Sequence, residues 1–441
     1  MYYSLLIFIV AFFVRILNLY LNQIDSSIYL IEDQLMYWEW SLNNAYTSNN
    51  SIKESLLLER MPGSFLFFQF IIWLVGENLF SVLVIQSLID AINCIIIAFI
   101  AKTINVKLFI LAGMLSAFSP LMIIVSSQIL SDTIFLFFLS LSILCILTFT
   151  KNRQEKFVYL GAIFLGFALF TRVVALPLIF LLVIFIGYIC LKEKYNFFKI
   201  VRIISIFFIF SLSLVLPRAI NNYYNFNSIS LTTQSGSHFA YWVIPAVLDF
   251  EVEKKKTLYK EKLQDLNKQL DVLENPFEKS SLLKKEAFKF LLKTEKKFII
   301  MAWGKGAVIN TLAPSFIIDQ RLRALPHPSF YDYERNLKKW LTDIFNKADF
   351  KKFKFFLLLS SISSILFVFL FFYGSYFLLK NYFQPAIVLF IISIYFFAVT
   401  GPVFSPKYIH PILPFLIIAE SIALARLLGF FFKLFKNTKY D

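Results

Sequence analysis

Apolar residues run along this chain in long uninterrupted blocks: positions 108 to 125, 133 to 149 and 355 to 379 carry no charged residue at all. A helix needs roughly 20 such residues to cross about 30 Å of hydrocarbon. Leu, Ile and Phe fill these blocks without the polar/apolar alternation of a membrane barrel, so helices are the expected spanning elements. About ten spans are expected, near 2 to 20, 78 to 101, 106 to 125, 132 to 150, 157 to 171, 174 to 191, 200 to 217, 355 to 379, 383 to 400 and 408 to 432. The apolar stretch from Phe157 to Cys190 is interrupted by Thr171 and Arg172, which predicts two short helices meeting in a turn. The first run, Met1 to Tyr20, lacks a basic n-region and a small-residue cleavage site and reads as a retained first helix. The fold class expected is therefore an all-α polytopic membrane protein.

Other segments are too short or too polar to span. Residues 64 to 76, introduced by Pro62 and Gly63, predict a helix lying at the interface. Phe298 to Leu312 is short and contains Lys305, and is expected to be interfacial or re-entrant. Between Asp249 and Lys297 the composition turns to Lys, Glu, Leu and Asp, with Leu258, Leu263, Leu266 and Leu270 at helical spacing, an amphipathic insert in a long external loop. Three regions follow: an N-terminal membrane module (1–217), an external loop with the insert (218–354) and C-terminal membrane helices (355–441). Basic residues set the orientation. Lys102 and Lys107, then Lys151, Arg153 and Lys156, then Lys192, Lys194, Lys199 and Arg202, and finally Lys433, Lys436 and Lys439 alternate with less basic loops, which places both termini in the cytoplasm. Lys351, Lys352 and Lys354 run against that bias.

Composition agrees with the pattern. The 441 residues are 59% hydrophobic with mean hydropathy +0.70, which excludes an ordinary water-soluble domain. The net charge of +15 lies mostly beside apolar runs, so it reads as topology signal and attraction to anionic lipid, not as a nucleic-acid surface. Cys94, Cys145 and Cys190 sit inside apolar runs without metal-ligand spacing. His238, His327 and His410 are scattered, so no histidine metal site is expected.

Polar residues at the outer ends of spans carry the candidate chemistry. Asp33 follows the first helix, with Tyr37 on the same helical face; it reads as a general base for an acceptor hydroxyl, or as a helix cap or a solvated loop acid. Asp132 opens the fourth helix, as a second catalytic carboxylate or, with Ser131, as a cap. Arg60, Arg172, Arg218 and Lys407, with Tyr408 beside it, fall on the same side; they suit a collar for a lipid-linked phosphate, or snorkel to the interface.

These residues, in this order, resemble the GT-C superfamily of membrane glycosyltransferases, most of all its family 39 type, the protein mannosyltransferase and aminoarabinose-transferase relatives. Asp33-Gln34-Leu35-Met36-Tyr37 matches the family's Asp-Glu-x-x-Tyr, with Gln34 in place of Glu. Arg60-Met61-Pro62-Gly63, Ser119-Pro120, Ser131-Asp132, Gly161 to Gly166 followed by Thr171-Arg172, and Lys407-Tyr408 with Pro411 and Pro414 continue the match. Asn222 and Tyr223 fit the Arg-Asn-Tyr element, whereas Asn221 stands where Arg is usual and Arg218 is the nearest substitute. The resemblance implies catalysis by Asp33 at an external site, a polyprenyl-phosphate sugar donor, and displacement with inversion at the anomeric carbon. It implies a lipid, glycan or protein acceptor, partner membrane lipids and an inner-membrane location. No nucleotide cofactor is expected, and a divalent metal near Asp33 and Asp132 stays open. A transporter or flippase of lipid-linked saccharides is the alternative, and a scaffold presenting the insert a third reading.

Overall fold

The apolar runs fold as helices at the expected places. The computed structural model describes residues 2–22, 30, 33–43, 57–333 and 336–437, with no strand among them. In chain order the main helices are α1 (Tyr2–Leu21), α2 (Asp33–Leu42), α3 (Gly63–Val75), α4 (Leu79–Ile104), α5 (Phe109–Ala117), α6 (Pro120–Ser126), α7 (Asp132–Asn152), α8 (Glu155–Thr171) and α9 (Leu176–Lys192). There follow α10 (Phe197–Leu212), α11 (Leu216–Phe226), α12 (Glu253–Val272), α13 (Pro276–Lys293), α14 (Lys296–Leu312), α15 (Leu337–Asn346), α16 (Lys351–Asn381), α17 (Phe383–Thr400) and α18 (Leu413–Asn437). Glu32 and Lys439 lie outside the described residues.

Among the described residues, seven helices are long and apolar enough to cross a membrane, and up to nine spans result when each of two bent pairs counts once. The tenth expected span, α8, is helical but only 17 residues long. The bends have local causes. The run expected at 106 to 125 breaks by 53° between α5 and α6, where Pro120 has no N–H to continue the ladder of α5 and starts a new helix instead. The α10–α11 pair bends by 64° just ahead of Pro217, so α11 carries the chain out past position 217.

The core forms around α4, which packs on α1, α5 and α7, while α7 leads to α8 and α8 to α10. At the C-terminal end α16 lies along α18, so closely that a Cβ on Gly374 would collide with the Ala419 backbone. Small residues bring membrane helices into that range because the association rests on backbone proximity and dispersion. Inside this bundle Arg15 of α1 meets Asp90 of α4 at 2.7 Å, both fully buried. Arg15 also donates to the carbonyls of Ala11 and Ala117 and to Cys94 Sγ. Charges at such depth persist only when paired and hydrogen-bonded.

Outside the bundle α12 and α13 form a hairpin. Leu266 and Leu270 pack with Leu283 and Ala240, and Tyr259 with Ile244, Leu248 and Ala287. Leu258, expected on the apolar stripe, is instead exposed, because the inward face turns through Tyr259, where the hydroxyl donates to the Ala240 carbonyl. The short helix α3 leaves Phe70, Trp73 and Leu74 exposed, as suits a helix lying in an interface.

The two ends of the bundle differ in character. At one end Arg153 pairs with Glu193 at 2.6 Å and Glu155 with Arg202 at 2.8 Å. Since α8 runs from Glu155 to Thr171, Arg172 lies at the other end, about 25 Å away along the helix.

Candidate active site

Four stretches far apart in sequence deliver charged groups to the Arg172 end. Asp33 is the first residue of α2. Two neighbours fix the rotation of that helix. One turn on, buried Tyr37 stacks on Phe65 of α3 at 4.7 Å between centroids. Next to Asp33, buried Gln34 accepts the Ile129 N–H at 3.2 Å. Gln34, which stands where the family has Glu, thus braces the 126–131 loop that leads into Asp132. With those two side chains turned inward, Asp33 is left 41% exposed, 3.2 Å from Arg60 and 3.7 Å from Lys407 Nζ.

Arg60 owes its place to Pro62 and Gly63. A Cβ on Gly63 would lie 2.5 Å from the Phe170 carbonyl oxygen, so only glycine lets the start of α3 rest on the end of α8. Ser64 Oγ donates to the Thr171 carbonyl from the same contact. This seats Arg60 beside the turn that carries Arg172.

Arg172 donates to the Asp132 carboxylate, and its guanidinium lies 5.6 Å from the Phe135 ring centroid, a cation–π distance. Neither Ser131 nor Asp132 makes the capping bond that the sequence left open: the Ser131 side chain makes no cap hydrogen bond, and the 7% exposed Asp132 side chain is spent on Arg172. Lys407 and Tyr408 lie in a 3-10 segment, Pro406–Ile412, ahead of α18. Lys407 is in electrostatic reach of Asp132, and Tyr408 of Asp33, Asp132, Arg60 and Arg172. Tyr37 likewise reaches Arg172. Asp33, Asp132, Tyr37, Arg60, Arg172, Lys407 and Tyr408 therefore share one site.

Arg218 and Asn222 take a different part. Arg218 donates to the carbonyls of Leu57, Arg60 and Leu231 at 3.1, 2.9 and 2.7 Å, tying the Arg60 backbone to the segment after α11. Asn222 is buried and donates to the Ser230 carbonyl at 2.7 Å. Asn221 is exposed and accepts only from Asn225.

Three groups at the site were not singled out in the sequence. Glu59 is half-buried, and burial raises its carboxyl pKa against the opposing pull of Arg60. His238 opens a π-helical turn, and burial, with Arg60 nearby, lowers its imidazole pKa, so it is neutral at pH 7. His410 is fully buried beside Asp132 in electrostatic terms, and neither ring nitrogen has a hydrogen-bond partner among the described residues. Glu59 was legible as Arg60's neighbour; no local signal marks His238.

A divalent ion fits these residues poorly. Asp33 is held between two cations and Asp132 is taken up by Arg172, so an ion would have to displace them. Among the described residues, no three His, Cys, Asp or Glu side chains gather as a ligand set.

A family model described as dolichyl-phosphate-mannose-protein mannosyltransferase matches residues 59–220. That segment includes Arg60, Asp132, Arg172 and Arg218 and stops short of Asp33 and Lys407. No curated protein matches the chain. Among solved structures, the oligosaccharyltransferase AglB from Archaeoglobus fulgidus, in complex with an inhibitory peptide and a dolichol-phosphate, superposes with a TM-score of 0.56 at 13% identity, covering 99% of this chain and 52% of that one. The apo form of the Archaeoglobus fulgidus oligosaccharyltransferase gives 0.55 at 12% identity, with the same coverage of 99% and 52%. ArnT from Cupriavidus metallidurans, bound to undecaprenyl phosphate, aligns over 96% of this chain and 77% of its own at 12% identity, but its TM-score of 0.38 is too low to carry an argument. The chain spans about half the length of the oligosaccharyltransferase structures, and at such identity the likeness concerns the fold. This is a multi-pass membrane protein with a GT-C-like fold. The motif resemblance, the family match over residues 59–220 and the likeness of fold agree with one another.

Proposed function

We propose that the protein transfers a sugar from a polyprenyl-phosphate donor to an acceptor hydroxyl at the external face of a plasma membrane, with inversion at the anomeric carbon. The observation that carries the reading is the convergence of Asp33, Arg60, Arg172 and Lys407, from separate stretches, at the end of the bundle opposite the Arg153–Glu193 pair. A half-exposed carboxylate among cations suits this chemistry. The lipid donor brings an anionic phosphate to the interface, where Arg172, Arg60 and Lys407 neutralise the charge that builds on it as it leaves. A phosphate that draws Lys407 and Arg60 towards itself releases Asp33 to face the acceptor. The acceptor O–H proton passes to the Asp33 carboxylate while its oxygen bonds to the anomeric carbon from the face opposite the leaving group. The bond from that carbon to the phosphate oxygen breaks, and its electron pair leaves with the lipid phosphate. Asp132 holds Arg172 in place, and Arg218 holds the backbone at Arg60.

The basic loops at 102–107, 151–156 and 192–202 support a cytoplasmic side opposite the site, and with it cytoplasmic termini. We retain the division into 1–217, 218–354 and 355–441 as working regions, the middle one bearing the α12–α13 hairpin over the site's side of the membrane.

The test is transfer of label from radiolabelled polyprenyl-phosphate sugars in membranes carrying the parent or Asp33→Asn. The expected result is transfer by the parent and a loss of about 10²-fold or more in an equally expressed variant, the range for removing a general base. Equal transfer by both would remove Asp33 from that role.

A further inference from the structure

Beside the Pro406–Ile412 segment, and lined from it by Ile409, lies a half-open cavity of about 100 Å³. It is bounded by α16, α18, the α5–α6 break and the end of α14. Glu420 opens onto it. This residue lies within α18, about 10 Å along the helix from Leu413. Its side chain is more than nine-tenths buried, at 8% exposure, and it makes no hydrogen bond or ion pair with any described residue.

The other polar lining atoms are hydroxyls. Ser360 Oγ donates to the Phe356 carbonyl at 2.6 Å and Thr311 Oγ1 to the Ala307 carbonyl at 2.7 Å. Each hydroxyl has one proton, so these two present only lone pairs to the cavity. Ser119, Ser315, Ser363 and Ser364 add hydroxyls of their own, and the remaining wall is apolar. The cavity therefore offers hydroxyls and a carboxyl, with no lysine, arginine or histidine in its lining. A carboxylate in hydrocarbon is costly unless a cation or hydrogen-bond donors meet it. A phosphate is repelled here, which separates this cavity from the cationic site around Arg172. An ammonium group brings a positive charge and N–H donors to the Glu420 carboxylate. The apolar wall and the depth in the bundle suit a hydrocarbon chain attached to that group better than a free ion.

We propose that the Glu420 cavity is an intramembrane binding site for an amphiphile with a primary ammonium head. The site does not depend on the transfer reaction, and its ligand can come from a membrane lipid or from another amine-bearing lipid. Ile409 lines it from the segment that also carries Lys407 and Tyr408, and Leu413 from the start of α18, so an occupant packs against that segment.

The test uses the purified full chain in a neutral detergent and measures saturable binding of dodecylamine, with dodecanol and dodecyl phosphate as matched chains. The parent is expected to bind dodecylamine about ten-fold or more tightly than either, and Glu420→Gln to lose that margin, as for one hydrogen bond to a charged group. Ser364→Leu, which fills the cavity and keeps the carboxyl, is expected to lose binding as well, and it decides the matter should Glu420→Gln fail to fold. Undiminished dodecylamine binding by a folded Glu420→Gln or by Ser364→Leu would overturn the proposal. So would dodecanol binding as tight as dodecylamine, since a neutral hydroxyl would then suffice, or full displacement of dodecylamine by sodium ion, which would make the site one for a free cation.

Discussion

Arg172 has two separable duties, and one pair of variants distinguishes them. It is the partner of Asp132, which is nearly buried, and in the proposed mechanism it also meets the donor phosphate. Arg172→Ala leaves the Asp132 carboxylate buried and uncompensated, a loss of about 3–5 kcal/mol by analogy with other broken buried pairs. Arg172 is 28% exposed, so solvent screening moves the expectation towards the lower end of that range. Asp132→Asn on the same background removes the stranded charge and is expected to return most of the stability. Activity should behave otherwise. Loss of one donor to a developing negative charge lowers turnover by about 10²–10³-fold, and neutralising Asp132 cannot restore a group that should touch the phosphate. Stability is read by thermal unfolding in detergent and activity by label transfer at matched expression. A double variant that regains both stability and transfer would confine Arg172 to holding Asp132, and the phosphate role would be withdrawn.

Gly63→Ala places a methyl 2.5 Å from the Phe170 carbonyl and is expected to cost about 1–3 kcal/mol through overpacking, with lower transfer because Arg60 shifts; a melting temperature equal to the parent's would contradict the packing argument. Asp90→Leu or Arg15→Met alone should destabilise by about 3–5 kcal/mol, and Arg15→Met/Asp90→Leu by clearly less than the sum, measured as a double-mutant cycle in mixed micelles. In the α12–α13 hairpin, hydrogen bonds from Lys262 and Lys289 hold the Glu286 carboxyl down at about 2. A depressed folded value means that the stabilisation is complete above the usual carboxyl range and is lost as pH falls towards 2. Hydrogen exchange in residues 276–293 of the full chain should thus quicken between about pH 4.5 and pH 2 beyond its intrinsic rate, and Glu286→Gln should flatten that rise.

The membrane architecture was legible in the chain because hydrocarbon imposes a one-dimensional requirement: about 20 apolar residues with every backbone group satisfied inside the helix. That requirement is met or missed locally, so the long helices could be read one at a time, whereas α8 falls short of a full span and the breaks in the two bent pairs are seen only in the structure. The same economy marked Asp33, Arg60, Arg172 and Lys407, since charges at the ends of apolar runs stand out against their neighbours.

Tertiary structure decided what those groups face. Nothing local distinguishes an Asp132 that caps its helix from one that holds Arg172, because the choice depends on where α8 ends relative to α7. Gln34 and Arg218 were read through the family's motifs, yet one braces the Ile129 backbone and the other gathers carbonyls of Leu57, Arg60 and Leu231. Arg15 and Asp90 lie inside runs whose mean hydropathy hides them, and their partnership joins two helices that meet only in the folded bundle. Glu420 is the same case without a partner: an acid in an apolar helix is visible in the sequence, but a cavity exists only once α16, α18 and the end of α14 have packed around it. Burial and pairing are properties of contacts between distant segments, and a pattern read along one strand of chain contains only the contacts a helix makes with itself.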